Sequence, residues 1–147
     1  MKMLLPDVNV WLALTFDSHV HHPAAKAWFD ALSDESCVFC RMTQQGFLRL
    51  ATNPLVFGTH ALTLNEAWQK YDVFLSDPCV SYAEEAPGIE VLWRQHTQRQ
   101  TFSPKVWNDA YLAAFAQSTD FELVTFDQGF AQYHNVRSRL LSSAAHN

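Results

Sequence analysis

Short apolar runs alternate along the chain with longer stretches in which apolar residues recur at helical spacing. Met3–Leu5 is apolar and stops at Pro6, which is typical of a buried strand. Val8–Thr15 then has the spacing of a short helix, with Asp7 at the position of its N-cap. Cys37–Cys40 is the next strand-like run. The start of the chain therefore predicts two strands separated by helical segments.

Further helices and strands follow in alternation. Strand-like runs occur at Val80–Tyr82, Glu122–Phe126 and Asn135–Leu141. The predicted helices run over about residues 23–34, from Thr43 as N-cap to before Asn53, from a Thr63–Glu66 capping box to about Ser76, from Ile89, and from Ser103-Pro104 to about Gln117. This order is typical of an α/β protein with a parallel sheet. The length, 147 residues, predicts a single domain over residues 1–147.

The composition predicts a soluble, folded chain. Hydrophobic residues make up 48% and charged residues 17%, while no apolar run approaches the roughly 20 residues of a membrane-spanning helix. Three cysteines are too few for a disulfide framework, which favours the cytoplasm and no membrane partner. Cys37 and Cys40 have C-x-x-C spacing, so buried strand cysteines and a redox or metal pair both remain open.

The formal net charge of −5 argues at first against a nucleic-acid partner. The basic residues are nevertheless segregated, because residues 36–65, 91–108 and 128–147 contain seven Lys or Arg and no acid. A polyanion could meet a locally positive surface there, and chance clustering on solvated faces is the alternative.

Three aspartates stand at positions that call for an explanation. Ligands of parallel α/β sheets collect at the carboxyl ends of strands, and Asp7 and Asp127 each directly follow a predicted strand. Each also has a structural alternative, since Asp7 suits a helix N-cap and Asp127 a turn. Asp109 falls in the second turn of the helix predicted from Ser103, beyond the reach of capping. That helix is apolar nearly all round, so a carboxylate on it needs a partner or a metal.

If these carboxylates converge, they repel one another. Two unit charges 4 Å apart cost about 4 kcal/mol at an effective dielectric near 20. A divalent cation reverses the sign, and oxygen ligands with open positions suit Mg²⁺ or Mn²⁺. A second cluster, His19, His21 and His22, lies in a predicted loop, where solvated histidines or helix-start contacts are favoured over a metal site.

Four stretches, taken in order, resemble the motifs of the PIN-domain family, and specifically VapC-type toxins of toxin–antitoxin pairs. These stretches are Pro6–Leu14, Thr43–Leu50, Trp107–Ala113 and Leu123–Phe130. The resemblance implies a three-layer α/β/α sandwich and a Mg²⁺- or Mn²⁺-dependent endoribonuclease that cuts RNA with a metal-activated water. It also implies a homodimer and a small cognate antitoxin as partners. By motif position, the family's metal-binding acids correspond to Asp7, Asp109 and Asp127.

The polar residues within these motifs are candidates for contacts to the site acids or to substrate. They are Asn9, Thr43, Gln45, Arg49, Asn108 and Thr125. For Arg49, a contact to substrate and a structural ion pair with a site acid both remain open. The second motif also departs from the family, which has a Glu three residues before an Arg, because that position relative to Arg49 is Gly46. The fourth acid is missing, which favours one strongly bound cation over two.

Two alternatives to a ribonuclease remain. A PIN-like fold that lost its acid at Gly46 could serve as a non-catalytic module that binds RNA or protein. Phosphotransfer on a similar sheet is disfavoured, because receiver domains need paired acids near the first strand and aspartyl phosphatases need D-x-D. This chain has Asp7-Val8-Asn9 there.

Overall fold

The computed structural model describes residues 2–142. Its strands are β1 (Lys2–Pro6), β2 (Glu35–Phe39), β3 (Val80–Tyr82), β4 (Glu122–Thr125) and β5 (Ser138–Leu140). Its helices are α1 (Val8–Thr15), α2 (His22–Asp30), α3 (Arg41–Ala51), α4 (Pro54–Phe57), α5 (Leu64–Ser76), α6 (Ile89–Thr97) and α7 (Val106–Thr119), and Gly58–His60 and Gln128–Gln132 form short 3₁₀ turns. Met1 and residues 143–147 of the predicted domain lie outside the described residues, so the domain bounds stay a prediction.

All five strands are parallel and follow the order β3-β2-β1-β4-β5, which confirms the predicted α/β class. The chain fills one side of β1 first and then returns to add β4 and β5 on the other side. β1 and β4 are therefore neighbours at a reversal of strand order, with Pro6 in register with Val124. Crevices at the carboxyl ends of strands beside such a reversal are where α/β proteins bind ligands.

Helices cover both faces of the sheet, as the three-layer prediction requires. Adjacent residues of β1 point to opposite faces: Leu4 packs in a core with Trp11 and Phe47, whereas Leu5 packs in a second core with Phe115. The first core lies under α1, α3 and α5, and the second lies under α6 and α7. No helix of residues 2–142 is long and apolar enough to cross a membrane.

Several predicted boundaries were wrong because backbone turns decide them. Helix α2 ends at Asp30, short of residue 34. Thr43 is not the N-cap of α3; Cys40 is, with extended backbone, and the Thr43 hydroxyl accepts from the Cys40 N–H at 3.0 Å. Helix α7 begins at Val106 because the carbonyls of Ser103 and Pro104 are used in a preceding turn. Asp109 therefore lies in the first turn of α7, not the second.

Candidate active site

An open cavity of about 330 Å³ lies at the carboxyl ends of β1 and β4, between the start of α7 and one face of α3. Its lining includes all three predicted aspartates, Asp7, Asp109 and Asp127. They come from three different elements: the end of β1, the first turn of α7 and the end of β4. We call this feature the acidic cavity. The fold thus brings together three carboxylates that are far apart in the sequence.

Asp7 is the most buried of the three aspartates, at 6% exposed. Its backbone N–H donates to the Val124 carbonyl at 2.9 Å, which fixes it at the junction of β1 and β4. One carboxylate oxygen accepts from the Val10 N–H at 3.2 Å and caps α1, and the other accepts from the Thr125 hydroxyl. The pKa of Asp7 is raised to about 6, because burial and, to a smaller extent, the charge of Asp109 outweigh the lowering effect of these hydrogen bonds.

Asp127 is held by the same threonine. The Thr125 hydroxyl, which donates to Asp7, also accepts from the Asp127 N–H at 2.9 Å. The Asp127 carboxylate accepts from the Gly129 N–H at 2.8 Å and lies 3.6 Å from the ammonium group of Lys105. One buried hydroxyl therefore fixes the relative position of the acids that follow β1 and β4.

Asp109 reaches the acidic cavity from the opposite helical layer and is half-buried. Burial raises the pKa of its carboxyl group, the charge of Lys105 lowers it, and the charge of Asp127 raises it again. Because Lys105 also contacts Asp127, a single ammonium group serves two carboxylates, and the mutual repulsion of the acids is only partly compensated. Carboxylates whose negative charge is only partly compensated attract a cation.

The donor chemistry of the acidic cavity fits a hard divalent cation. The carboxylate oxygens of the three aspartates are joined there by the amide groups of Asn9 and Asn108. Within residues 2–142, no group of three or more His, Cys, Asp or Glu side chains is arranged so that it could hold a metal ion by itself. The fit is therefore to an ion held by one or two carboxylates and completed by water and substrate oxygens, as is common for Mg²⁺.

The other predicted polar residues divide into two groups. Asn9, Gln45, Arg49 and Asn108 line the acidic cavity, whereas Thr43 and Thr125 lie beneath its surface. Thr125 acts through its hydrogen bonds to the acids, and Thr43 closes the first turn of α3 instead. Arg49 makes no ion pair with any acid of the described residues. This favours the substrate-contact alternative for Arg49 over the structural one.

Gly46 has a packing reason for carrying no side chain. A Cβ atom at this position would lie 2.6 Å from Cγ2 of Val8, well inside van der Waals contact. The absence of a Cβ lets α3 approach α1 closely, directly beside Asp7. A glutamate at position 46 would have to displace Val8, so the loss of the fourth acid is built into the packing of these two helices.

Lys105 is a residue of the acidic cavity that the sequence motifs do not include. It is exposed, yet it contacts Asp127 and lines the acidic cavity. A signal was present in the sequence, because Lys105 stands four residues before Asp109, a spacing that places two side chains on one helix face.

The histidine and cysteine clusters have structural roles. The His21 ring stacks on Phe126 with centroids 4.3 Å apart, and a ring nitrogen of His22 is 2.7 Å from the Ala13 carbonyl. Burial raises the thiol pKa of Cys37 and of Cys40, which opposes the thiolate form that redox or metal chemistry requires. The interpretation of these two residues as buried cysteines at the strand end is therefore favoured.

The fold and the site together define the class of protein. It is an α/β protein with a five-stranded parallel sheet and an acidic ligand cavity where the strand order reverses. Residues 4–135 match the model of the PIN domain family, and the chain belongs to that family. It is 49% identical over 145 residues to Ribonuclease VapC41 of Mycobacterium tuberculosis, an alignment that covers 95% of this chain and 99% of that protein. Ribonuclease VapC38 of the same organism is 33% identical, with 86% of each chain covered.

Solved structures have the same fold at low sequence identity. VapBC2 from Rickettsia felis, bound to a DNA fragment from its promoter, includes a chain with a TM-score of 0.70 at 12% identity, covering 96% of this chain and 100% of that one. Mycobacterium tuberculosis VapC20, a toxin that cleaves the sarcin–ricin loop, has a TM-score of 0.65 at 18% identity, covering 91% and 98%. These similarities confirm the three-layer α/β/α architecture.

Proposed function

We propose that this chain is an endoribonuclease that depends on Mg²⁺ or Mn²⁺ and acts as the toxin of a toxin–antitoxin pair. The observation that carries the proposal is the convergence of Asp7, Asp109 and Asp127 on one cavity in a PIN-domain chain. The near full-length similarity to a protein named Ribonuclease VapC41 supports it. We further propose a cytoplasmic location, a small antitoxin partner, as in the VapBC complexes that share the fold, and a homodimer.

In this proposal, Asp7, Asp109 and Asp127 would hold the cation, one or two of them by direct contact and the rest through water. A bound Mg²⁺ or Mn²⁺ supplies positive charge to phosphate oxygens and lowers the pKa of water. The chain's own residues position the carboxylates. The Thr125 hydroxyl and the Val10 N–H keep the Asp7 carboxylate fixed, so little reorganisation is needed when substrate binds. Arg49, unpaired with any acid among residues 2–142, faces the same space and can receive a phosphate.

Lys105 has a second role in this scheme. Its ammonium group lies 3.6 Å from Asp127, which reduces the repulsion among the acids. Since its side chain is exposed, it can exchange this contact for a phosphate oxygen of the RNA. Arg49 and Lys105 thus provide positive charge on two sides of an otherwise acidic cavity, although the protein as a whole is negative.

Cleavage of RNA by the purified chain tests the proposal. We expect cleavage in Mg²⁺ or Mn²⁺, loss in EDTA, and recovery when the cation is restored. Asp109→Asn should reduce the rate by no less than the roughly 10- to 100-fold that loss of an outer-sphere partner costs a metal site. Asp30→Asn is the matched control, because Asp30 is exposed on α2 and pairs only with Lys26 among the described residues. Undiminished cleavage in EDTA, or by folded Asp109→Asn protein, would contradict the proposal.

A non-catalytic binding module is the second candidate function, and Gly46 favours it. The position that carries an acid in the resembled family has none here, and no acid can enter without moving Val8. Calorimetric titration with Mn²⁺ separates the two functions. A ribonuclease should take up Mn²⁺ in a manner that depends on Asp109, whereas a binding module should bind RNA without cutting it and without Mn²⁺ uptake.

A further inference from the structure

Exposed aromatic side chains lie on the loop between α6 and α7 and on the first turn of α7, the helix whose start also lines the acidic cavity. Phe102 is fully exposed and Trp107 is 57% exposed. Trp93 of α6 stands edge-on to Trp107, with ring centroids 6.1 Å apart and planes at 83°. We call Trp93, Phe102 and Trp107 the aromatic shelf. Trp93 is partly buried against the second core, whereas the exposed rings of Phe102 and Trp107 contribute little to it, so the fold alone does not account for these two.

The aromatic shelf is held in place. The indole N–H of Trp93 donates to the Trp107 carbonyl at 3.0 Å, and its ring packs edge-on against Tyr111 with centroids 5.3 Å apart. Trp107 itself belongs to the first turn of α7. These contacts fix the Trp93 ring, which packs against the ring of Trp107 and leaves that side chain 57% exposed to a ligand.

Two arginines and one glutamate lie beside the aromatic shelf. Arg99 lines the same shallow cavity of about 300 Å³ as Phe102 and Trp107, and Arg94 lines a neighbouring one with Trp93. Arg94 is paired with Glu90 at 2.9 Å, but Arg99 makes no ion pair with an acid of the described residues and lies over the Tyr133 ring. Aromatic faces beside unneutralised arginine are the combination by which proteins bind single-stranded nucleic acid.

The aromatic shelf and the acidic cavity share one short segment. Trp107 and Asp109 both lie in the first turn of α7, while Lys105 and Asn108 line the acidic cavity from the same segment. An α-helix with its side chains is about 10–12 Å across. Trp107 and Asp109 are two residues apart, so their side chains leave α7 on nearly opposite faces, and the aromatic shelf and the acidic cavity share no lining residue. A strand whose phosphate sits in the acidic cavity can therefore reach the aromatic shelf only by passing around the start of α7, a few nucleotides away.

We propose that the aromatic shelf stacks an unpaired base of RNA a few nucleotides along the strand from the phosphate bound in the acidic cavity, with Trp107 as the stacking ring and Arg99 beside the backbone. The proposal rests on the proposed ribonuclease function and adds to it a base-binding position on the loop between α6 and α7 and the start of α7. Paired bases in a continuous helix cannot supply the free face, since they are stacked on one another. The charge of Arg99, which no acid of the described residues neutralises, favours RNA over a protein partner on this surface.

Binding of a labelled single-stranded RNA in EDTA tests the aromatic shelf without any cleavage. Trp107→Ala should weaken binding by about 5-fold or more, the effect of losing one stacked base. Trp107→Phe should retain most of the affinity, whereas Trp107→Leu, which keeps apolar area but has no π face, should not. The matched control is Trp68→Ala, which removes an indole of similar exposure, 50%, from α5. Circular dichroism checks that each variant is folded.

Two further readouts make the test specific. RNA should quench tryptophan fluorescence in the wild-type protein and quench it less in Trp107→Phe, although that variant still binds. Phe102→Ala provides a second variant that cannot disturb the fold, because Phe102 is fully exposed, and it should also weaken binding. A blunt-ended RNA duplex should show no difference between the wild-type protein and Trp107→Ala.

The outcomes separate this proposal from the proposed function. Equal RNA affinity of wild-type and Trp107→Ala protein overturns the aromatic shelf, even if Mg²⁺-dependent cleavage is observed. RNA binding that depends on Trp107, without cleavage in any divalent cation, supports the shelf and contradicts the ribonuclease. If Trp107→Ala instead changes the oligomeric state measured by light scattering and leaves RNA affinity unchanged, the rings form a protein interface and base stacking is wrong.

Discussion

Asp7 is a carboxylate that the fold buries with hydrogen bonds but without a counter-charge of its own. Three donors stabilise its ionised form, yet burial outweighs them and its pKa rises from 3.8 to about 6. The protonated form is therefore favoured in the folded protein more than in the unfolded chain. The stabilisation is fully present below pH 3.8 and is lost as the pH rises through 6.

The first prediction concerns this titration in the metal-free protein. Relative to Asp7→Asn, the wild-type protein should lose about 2 kcal/mol of unfolding free energy between pH 4 and pH 7, the part of the pKa shift that titrates in this interval. Urea unfolding in EDTA at a series of pH values measures the difference. The other titrating groups contribute equally to both proteins, so their effects cancel in the difference between the two unfolding free energies. If that difference does not change with pH, the pKa of Asp7 is not raised by folding.

The second prediction concerns Gly46. Replacing a glycine in a helix interior by alanine normally stabilises a protein by about 0.5–1 kcal/mol. Here the new Cβ meets Val8 at 2.6 Å, and the β-branched Val8 has little rotamer freedom in α1. Gly46→Ala should therefore destabilise by about 1–3 kcal/mol. In a Val8→Ala background, which removes the clashing methyl groups, the same substitution should become stabilising.

This reversal of sign is the measurement to make, by chemical unfolding of the four proteins of the cycle. A Gly46→Ala effect that is the same in the wild-type and in the Val8→Ala background would mean that the two helices do not limit position 46. It would then leave the missing acid without a packing explanation.

At the scale of elements, β1 and β4 are joined at the site by Thr125. Its hydroxyl donates to the Asp7 carboxylate and accepts from the Asp127 N–H, and the residue is 1% exposed. A side chain at the end of one strand thereby sets the position of the acid at the end of the next. Register between these strands is thus coupled to the geometry of the acidic cavity.

The third prediction is that Thr125→Val, which keeps the shape of the side chain, destabilises the protein by about 1–3 kcal/mol. It should also raise the pKa of Asp7 further, because the lost hydroxyl lowers that pKa. The pH profile of RNA cleavage should shift to higher pH in step. Thr125→Ser retains the hydroxyl and should stay close to the wild-type protein in stability and in pH profile. If Thr125→Val and Thr125→Ser give the same stability and the same pH profile, the hydroxyl does not hold the two acids in place.

The elements that the sequence pattern located well are those with strong local signals. The Thr63–Glu66 capping box begins α5, and the acids that follow apolar runs, Asp7 and Asp127, do lie at the carboxyl edge of the sheet. What local patterns did not supply depends on contacts across the fold. The start of α7 is set by a preceding turn, and the place of Lys105 is set by its distance to Asp127.

At the scale of the whole molecule, the two edges of the sheet differ in how their charges are paired. At the amino ends of the strands, Arg139 contacts Glu35 and Glu122 at 2.8 and 2.7 Å, and Lys2 lies 3.3 Å from Glu122. At the carboxyl ends, Asp127 alone of the three aspartates forms an ion pair among the described residues, with Lys105, whose charge also acts on Asp109. The protein thus concentrates uncompensated negative charge at the edge where a strand-order reversal opens a cavity.

The last prediction follows from this imbalance and concerns thermal stability. Removal of one carboxylate should stabilise the metal-free protein, because repulsion and burial both oppose the ionised acids. Asp109→Asn should therefore melt above the wild-type protein in EDTA. A ligand at 100 times its Kd stabilises by about 2.7 kcal/mol, and each kcal/mol raises Tm by about 2–4 °C in a protein of this size. Saturating Mn²⁺ should accordingly raise the wild-type Tm by about 5–10 °C.

The order of stability should then reverse, with Asp109→Asn gaining little from Mn²⁺ while Asp30→Asn gains as much as the wild-type protein. Lowering the pH to about 5 should reduce the wild-type gain, since Asp7, with a pKa of about 6, is then largely protonated and must release its proton before it binds a cation. Differential scanning fluorimetry of the three proteins, with and without Mn²⁺, at about pH 5 and about pH 7.5 measures these shifts. If Mn²⁺ raises the Tm of Asp109→Asn as much as that of the wild-type protein, the ion binds away from the acidic cavity. The three aspartates would then lie together for a reason other than metal binding.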